Sequence, residues 1–292
     1  MIQLDHYPAI KKTKTSSQNR PPILFVHGAW HGAWCWKDCF VPHFQKAGYE
    51  VYSIDLRGHG NSPNGSGSFR WNSIRNYVQD VEKIIGGLPQ TPILIGHSMG
   101  GLVVQKTLEK TNAPKAVLLA SVPPHGVFRI TLELLVKFPI KFLKVLGTLS
   151  LLPIVEDKKI ARELFFSKLL SEDKALQYAS KMQNESFLAF LDMLLFCLPS
   201  PQKVKTPILV LGGEKDRFFV PWEVKRTAKA YQTEAEIFSG MGHNMMLDAG
   251  WEKVADRIET YLGTSSNSVV VAKKQKPAPK KKAKPKKKVK KK

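Results

Sequence analysis

Residues 96–100, Gly-His-Ser-Met-Gly, place a serine between two glycines with one residue on each side. A short apolar run precedes them and apolar residues at helical spacing follow, so the sequence predicts a very tight turn between a strand and a helix. Such a turn forces its central residue into a strained backbone conformation, and small residues around it keep the strand and the helix apart. We therefore interpret Ser98 as a candidate nucleophile, although a pattern with three fixed positions also arises by chance.

A serine nucleophile requires a base and an acid, and candidates for both follow Ser98 in the sequence. Asp216 lies in GGEKDRFFVP after one predicted strand, and His243 lies in SGMGHNMMLD after the next. Both positions fall where open α/β sheets build their sites. We expect His243 to take the proton of Ser98 and Asp216 to orient the imidazole. Two rival acids are expected to have other roles, since Glu214 should point away from Asp216 and Asp248 should cap the following helix.

The stretch FVHGAW, after the first predicted core strand, is a candidate source of backbone donors for a developing oxyanion. The amide of Ala29 is expected to point at the oxyanion together with that of Met99, the residue after the nucleophile. His27 is then structural, and Trp30 is a candidate wall of the substrate pocket. We interpret His59 as part of a turn that braces the site.

The bulk composition is typical of a soluble globular protein, with 292 residues of which 43% are hydrophobic. Three cysteines, Cys35, Cys39 and Cys197, are too few for a disulfide framework in so long a chain and favour a reducing compartment. They predict no metal site, because further ligands are lacking, and no cofactor is predicted. The N-terminus has no recognisable secretory pattern, and no apolar stretch is long enough to span a bilayer. We expect an intracellular, cytoplasmic protein.

Short apolar runs alternate with helical patterns along most of the sequence. This alternation predicts a doubly wound, mostly parallel α/β sheet that is covered by helices on both faces. The predicted strands begin at Ile23, Val51, Pro92, Lys115, Pro207 and Ala235. The predicted helices lie near residues 36–47, 73–86, 100–111, 222–232 and 250–262.

The alternation fails between about Gly126 and Pro201, where leucine, phenylalanine and lysine recur at helical spacing. A helical segment inserted between two core strands is predicted to form a cap. The chain then divides into an N-terminal arm (1–20), a first core part (21–126), the cap (127–201), a second core part (202–263) and a C-terminal tail (264–292).

The first part of the predicted cap is amphipathic. Lys137, Lys141 and Lys144 share one helical face if the helix continues through Pro139. One interpretation is a helix packed over the core with a solvated basic face. The other is an interfacial helix that docks on lipid and admits an apolar acyl chain.

The formal net charge of +21 is concentrated at one end of the sequence, because residues 273–292 contain 13 lysines and no acidic residue. Few apolar groups and strong self-repulsion predict a disordered tail. An anionic membrane surface and nucleic acid are its candidate partners. The stretch PKKKVK at residues 285–290 also resembles a nuclear localisation signal. A purely solubilising tail is a further interpretation.

Five stretches carry a resemblance to a known family: VHGAWHGAWCW, IDLRGHGNS, GHSMGG, LGGEKD and GMGHNMML. Over about residues 20–263 the chain resembles α/β-hydrolase fold proteins. The first stretch resembles the plant methylesterase and hydroxynitrile lyase branch, whereas RGHGNS resembles esterases and lysophospholipase-like members. Those lyases usually carry a lysine after the catalytic histidine and a hydroxyl residue near the oxyanion loop. Here Asn244 and Ala29 stand at those positions, which disfavours lyase chemistry.

The resemblance implies a serine hydrolase that cleaves a carboxylic ester through an acyl-enzyme, with an apolar acyl or alkyl part beneath the cap. Two alternatives stay open. HNMMLD fits an H-x-x-x-x-D pattern of some lipid acyltransferases, which would give His243 and Asp248 another role. A protein with this fold is also compatible with ligand binding without turnover.

Overall fold

The computed structural model describes residues 1–10 and 20–263, with one seven-stranded sheet at the centre. The strands are, in chain order, β1 Leu4–Tyr7, β2 Ile23–Val26, β3 Val51–Ile54, β4 Ile93–His97, β5 Ala116–Leu119, β6 Ile208–Gly213 and β7 Ala235–Phe238. Their order across the sheet is β1-β3-β2-β4-β5-β6-β7, and only the β1–β3 pair is antiparallel. The predicted doubly wound α/β fold is confirmed, and all six predicted strands are present.

The five central strands are buried along their whole length. Helices cover a parallel sheet on both faces, so its strands are continuous apolar runs rather than alternating ones. The edge strand β1 differs, because the sequence LDHY has no apolar run and is only half-buried. It pairs with β3 in the register Leu4↔Ile54 to Tyr7↔Val51. The segment predicted as an N-terminal arm therefore contains a strand that only its pairing with β3 reveals.

Twelve α-helices complete the described part of the chain. They are α1 Trp34–Lys37, α2 Phe40–Lys46, α3 Ile74–Gly87, α4 Met99–Thr107, α5 Phe128–Lys137, α6 Pro139–Thr148, α7 Leu152–Val155, α8 Lys158–Phe165, α9 Glu172–Ser180, α10 Phe187–Leu191, α11 Pro221–Ala230 and α12 Trp251–Gly263. Short turns of 3₁₀-helix lie at Phe69–Trp71 and Pro201–Lys203, and a π-helical turn lies at Asp192–Phe196. The helix predicted near residues 36–47 is two helices, α1 and α2. In residues 1–10 and 20–263, none of the helices has the length and apolarity needed to cross a bilayer.

The segment between β5 and β6 is helical and contains α5 to α10; we call residues 127–201 the insert. The predicted helix does not continue through Pro139. Helix α5 ends at Lys137, and Pro139 occupies the first position of α6. A proline lacks the N–H group that a helix interior requires, whereas its fixed φ suits a helix start. The condition for a face shared by the three lysines is therefore not met, and they lie on two helices.

A buried hydrogen-bonded cluster joins the insert to the core. Glu185 of the insert lies 3.0 Å from His59 Nε2, in the loop after β3, and accepts a hydrogen bond of 2.8 Å from the Tyr77 hydroxyl of α3. His59, Glu185 and Tyr77 are completely buried. Since a buried charge is stable only when it is paired and hydrogen-bonded, the cluster fixes the insert in one position.

The pKa values of this pair give the cluster a defined pH dependence. Burial opposes the charge of both groups, but their mutual attraction outweighs it, so the pKa of His59 is raised and that of Glu185 is lowered. The contribution of His59 is complete below its ordinary pKa of 6.5 and is lost as the pH rises through the raised value. The contribution of Glu185 is complete above 4.5 and is lost as the pH falls through the lowered value. The pair thus stabilises the fold most between pH 4.5 and 6.5.

We predict that Glu185→Ala lowers the free energy of unfolding by about 3–5 kcal/mol, because His59 and the Tyr77 hydroxyl lose their buried partner. Urea unfolding followed by tryptophan fluorescence measures the loss, which is expected to be largest between pH 4.5 and 6.5. Glu234→Ala, at an exposed position, is the control and should change stability by less than about 0.5 kcal/mol. Equal losses in the two variants would contradict a stabilising role for the cluster.

Candidate active site

Ser98 is the single residue between the end of β4 at His97 and the start of α4 at Met99. Its backbone has φ 53° and ψ −121°, a region that residues with a side chain rarely adopt. The carbonyl of Leu119 accepts a hydrogen bond from Ser98 N, and the carbonyl of Ser98 accepts bonds from Gly101 N and Val122 N. The strain predicted from the sequence is therefore present and is held by the backbone on both sides.

Three glycines make this turn possible. A Cβ atom on Gly96 would lie 2.4 Å from the carbonyl oxygen of Gly100, and one on Gly100 would lie 2.3 Å from that of His27. A Cβ atom on Gly101 would lie 2.2 Å from Ser121 Oγ. No real Cβ contact is so short, so helix α4 packs against the sheet at a distance that only glycine allows.

The loop after β2 passes directly over Ser98. A Cβ atom on Gly28 would lie 2.9 Å from Ser98 Cβ, so the backbone of this loop touches the serine. Ala29, the next residue, lines the same cavity as Ser98. Met99 is the first residue of α4, and the N–H groups of a first helical turn have no acceptor within the helix. The two amides predicted as oxyanion donors thus belong to segments that flank the serine.

Trp30 forms one wall of the cavity and is fixed to the insert. Its backbone has a positive φ of 63°, and its Nε1 donates a hydrogen bond of 3.2 Å to the carbonyl of Leu151. The backbone N–H of Gln183 donates to the carbonyl of Trp30. Trp30 therefore joins the loop after β2 to the insert and leaves no unused polar atom on its side chain.

Asp216 and His243 form a buried hydrogen-bonded pair at the C-terminal ends of β6 and β7. His243 Nδ1 lies 2.9 Å from Asp216 Oδ2, and both side chains are at most 1% exposed. Asp216 Oδ1 accepts hydrogen bonds from the amides of Phe218 and Phe219, which fix the carboxylate. Glu214 is exposed and accepts from Ser239 Oγ and Gly240 N instead. Asp216 is thus the acid that the structure pairs with His243.

The residue before Ser98 contacts His243. His97 Nε2 donates a hydrogen bond of 3.1 Å to the backbone carbonyl of His243, and the two rings lie 4.7 Å apart. Phe218 packs on the other side, with its ring 4.6 Å from that of His243, and lines the cavity that contains Ser98. The structure therefore brings Ser98, His243 and Asp216 to one edge of the sheet.

Three further buried histidines surround this edge and are neutral at pH 7. Burial lowers the pKa of His27 to about 4 and that of His31 to about 3, and burial beside His243 lowers the pKa of His97 well below 6.5. A protonated ring at any of these positions would repel a charged His243. Because they are neutral, these three rings place no positive charge beside His243.

A chain of hydrogen bonds that the sequence did not reveal connects the loops of the site. His31 Nδ1 lies 2.7 Å from the carbonyl of Ala29, which only accepts, so Nδ1 carries the hydrogen. His31 Nε2 then accepts from the side-chain amide of Asn244, 3.1 Å away. Asn244 follows His243 directly, so this chain joins the loop of the histidine to the loop of the predicted oxyanion donor.

Asp248 does not cap the following helix, and that expectation is wrong. Its carboxylate is completely buried and accepts hydrogen bonds from Gly242 N, Ala249 N, and both the backbone N–H and the hydroxyl of Ser167. Helix α12 begins only at Trp251. The carboxylate satisfies N–H groups of the histidine loop and of the insert, which holds the two segments together.

An apolar cavity with an empty volume of about 590 Å³, including the part open to solvent, lies over Ser98. The core contributes six lining residues: Ala29, Trp30, Ser98, Val122, Phe218 and Phe219. The other ten come from the insert, between Val127 and Met193. Besides Ser98, only Trp30 and Thr131 carry polar side-chain atoms, and both donate to backbone carbonyls. The cavity is therefore suited to hydrocarbon.

Among the residues that the structure describes, one group of side chains has the spacing of metal ligands, and it lies outside the cavity. The ligand atoms of His43, Asp256 and Glu259, on α2 and α12, all lie within 4.8 Å of one another. Asp256 is exposed, and none of the three lines the cavity over Ser98. Exposed acidic groups of this kind are common, and the group contributes no residue to the site described above.

Comparison with known proteins gives a consistent result. The model of an alpha/beta hydrolase family matches residues 23–257. A methyl jasmonate esterase of Vitis vinifera is 36% identical over 113 residues, which are 37% of this chain and 42% of that protein. A carbendazim hydrolyzing esterase of Nocardioides sp. is 35% identical over 109 residues, 36% of this chain and 43% of that protein. Each alignment spans less than half of the relative's length.

Among solved structures, an esterase from Exiguobacterium antarcticum is similar over most of its length. It superimposes with a TM-score of 0.70 at 18% identity, and the match covers 90% of this chain and 96% of that one. At this level of identity the similarity concerns the fold.

We predict that Asp248→Asn lowers the free energy of unfolding by about 2–3 kcal/mol, because an amide cannot accept all four hydrogen bonds that the buried carboxylate accepts. Chemical unfolding measures the change. Asp256→Asn, on the exposed face of α12, is the matched control and should be nearly neutral. A stable Asp248→Asn variant would show that these hydrogen bonds do not hold the histidine loop.

Proposed function

The chain belongs to the alpha/beta hydrolase family, and we propose that it cleaves a carboxylic ester with Ser98 as nucleophile, His243 as base and Asp216 as the acid that orients the base. The observation that carries this proposal is the buried pair of His243 and Asp216, with Nδ1 2.9 Å from Oδ2, beside a strained serine that opens on an apolar cavity. Esterases and methylesterases among the relatives support ester hydrolysis as the reaction class.

Acylation begins with the attack of Ser98 Oγ on the ester carbonyl carbon. Because Nδ1 of His243 donates its hydrogen to Asp216, the proton of the serine goes to Nε2. The carbonyl π electrons move to oxygen and give a tetrahedral oxyanion. The backbone N–H groups of Ala29 and Met99 are the proposed donors to that oxyanion. When the C–O bond breaks, the leaving alcohol takes the proton from Nε2.

Deacylation repeats these steps with water. His243 takes a proton from water, the resulting hydroxide attacks the acyl carbon, and Ser98 leaves with the proton that Nε2 returns. Asp216 stabilises the positive charge that His243 carries in both steps, and the neutral rings of His31 and His97 add no opposing charge. Free carboxylic acid and free serine are the products.

The substrate part that enters the cavity is proposed to be a hydrocarbon chain or ring. The polar side-chain atoms of Trp30 and Thr131 already donate to backbone carbonyls, so a polar group in this cavity would lose its water without gaining a partner. Apolar surface gains about 25 cal/mol per Å² on leaving water, which favours esters whose apolar part fills the space.

The alternative proposal, lipid acyl transfer, is not supported by the surroundings of Asp248 in its H-x-x-x-x-D pattern. It rested on His243 and Asp248 acting together, whereas the Asp248 carboxylate accepts four hydrogen bonds from Gly242, Ala249 and Ser167. Ligand binding without turnover is distinguished from hydrolysis by the measurement below.

We predict that a fluorophosphonate probe labels the full chain at Ser98, as mapped by peptide mass spectrometry, and that Ser98→Ala removes the label. Hydrolysis of p-nitrophenyl esters should fall by at least about 10⁴-fold in the variant, because loss of such a nucleophile removes the covalent route. Circular dichroism controls for folding. A folded wild-type chain that is not labelled, yet binds ester without releasing product, would replace hydrolysis by ligand binding.

We predict that Val145→Phe shifts the preference of the enzyme towards short acyl chains. Val145 is completely buried in the cavity wall, so the larger ring removes space from the substrate. The kcat/KM for p-nitrophenyl octanoate should fall about tenfold or more relative to that for the acetate, equivalent to about 1.4 kcal/mol. Val136→Phe, 75% exposed on α5, is the matched control. An unchanged chain-length profile in Val145→Phe would place the acyl chain outside this cavity.

A further inference from the structure

Helices α5 and α6 each carry two apolar faces, and only one of them is buried. Ile130 and Leu134 of α5 and Phe142 and Val145 of α6 line the cavity over Ser98. A second set on the same helices points into solvent. A helix at the surface of a globular protein normally has a single apolar stripe that faces the core, so the second face requires an explanation.

The second set, which we call the outer apolar face, continues into α7. It comprises eight exposed side chains: Phe128, Leu132, Leu135, Val136, Ile140, Leu143, Leu146 and Leu152. Eight of the fifteen large apolar side chains that are exposed in residues 1–10 and 20–263 belong to this stretch of 25 residues. Such a concentration of exposed apolar surface is typical of an interaction site.

Spacing confirms that these residues share one side of each helix. On α5 they recur at intervals of four and three residues, from Phe128 through Leu132 to Leu135, and on α6 at intervals of three, from Ile140 through Leu143. Residues three and four apart are neighbours on a helix surface. Helix α5 contacts α6, and α6 contacts α7, so the exposed residues of the three helices lie on neighbouring segments.

Basic residues border the outer apolar face. Within residues 128–148 there are four basic side chains and one acidic side chain. Lys137 lies 3.0 Å from Glu163, and Lys141 and Lys144 lie 3.4 and 4.0 Å from Glu156, with Lys144 still 60% exposed. An apolar helix face with lysine and arginine beside it fits the boundary between the head groups and acyl chains of an anionic membrane.

We propose that the outer apolar face docks on the surface of a bilayer that contains anionic lipid. Charge favours this occupant over a second copy of the chain, because residues 128–148 carry a net charge of +3 (four basic and one acidic side chain), which two docked copies would bring together and only partly offset through Glu156 and Glu163. The position of the outer apolar face next to the cavity also favours a membrane surface as the occupant. Helices α5 and α6 form a single layer, with the docked face on one side and the cavity wall at Leu134 and Val145 on the other.

Docking explains how an apolar ester reaches the site without crossing water. This second step rests on the proposed function, whereas docking itself does not. An ester dissolved in the bilayer would pass beside α5 and α6 into the cavity over Ser98, and its apolar part would remain in an apolar environment throughout.

The test measures vesicle binding of the full chain carrying Ser98→Ala, so that its outcome is independent of hydrolysis. The protein is sedimented with vesicles of phosphatidylcholine alone and of phosphatidylcholine mixed with phosphatidylserine. Leu143→Gln should lower the partition coefficient on the mixed vesicles about tenfold, because burial of one leucine side chain is lost. Leu169→Gln is the matched control, since Leu143 and Leu169 are 65% and 69% exposed and only Leu143 belongs to the face. High salt weakens the electrostatic attraction of lysines anywhere in the chain to the vesicles. The lower partition coefficient of Leu143→Gln relative to the parent chain should persist at high salt.

Equal partition of Leu143→Gln and Leu169→Gln, or no vesicle binding by the parent chain, would overturn the proposal. Sedimentation velocity tests the alternative occupant, which is a second copy of the chain. A dimer that Leu143→Gln dissociates, without vesicle binding, would assign the face to a second copy. In the chain with Ser98 intact, hydrolysis of soluble p-nitrophenyl acetate should be unchanged by Leu143→Gln, because Leu143 does not line the cavity.

Discussion

The site depends on one close contact, between helix α4 and the strands beneath it. Gly96, Gly100 and Gly101 each lie where a single Cβ atom would collide with neighbouring backbone or with Ser121. This contact allows Ser98 to occupy its strained conformation and brings the loop of Gly28 against it. The short separation between strand β4 and helix α4 also positions the other loops around Ser98. A larger residue at any of these glycines would move the serine and the loop together.

Buried carboxylates hold the loops that meet at this contact. Asp216 fixes the loop after β6 through two backbone amides, and Asp248 joins the loop after β7 to the insert. Asp55 accepts from Ala33 N at 2.6 Å and from Asn61 N at 2.9 Å, and so ties the loop after β2 to the loop after β3. A buried acid with all its acceptors satisfied specifies the position of several amides at once. Among these acids, only Asp216 also hydrogen-bonds a histidine side chain, that of His243, so its carboxylate fixes a ring as well as a loop.

Much of this architecture could be predicted from the sequence, for reasons that differ between elements. The central strands are apolar runs because both faces of the sheet are covered, and such runs are visible without a structure. The proximity of Asp216 and His243 could be predicted because both follow the C-terminal ends of neighbouring strands, whereas their roles in a reaction stay predictions. Strand β1 was missed because LDHY gains its conformation from pairing with β3. The bonds of His31 to Asn244 and of Asp248 to Ser167 join residues 213 and 81 positions apart, and no local pattern encodes them.

The cavity wall is formed partly by the core and partly by the insert, so sequence changes in these two parts have different consequences. The groups proposed to carry out the reaction belong to the core, whereas ten of the sixteen lining residues belong to the insert. The insert enters and leaves between two neighbouring strands, β5 and β6, and Glu185 and Ser167 are among the residues that bond it to the core. It is therefore an exchangeable module. Evolution or an engineer could replace the insert residues that line the cavity and alter which molecules are accommodated, while the groups proposed to react stay unchanged, provided that the insert keeps its hydrogen bonds to the core.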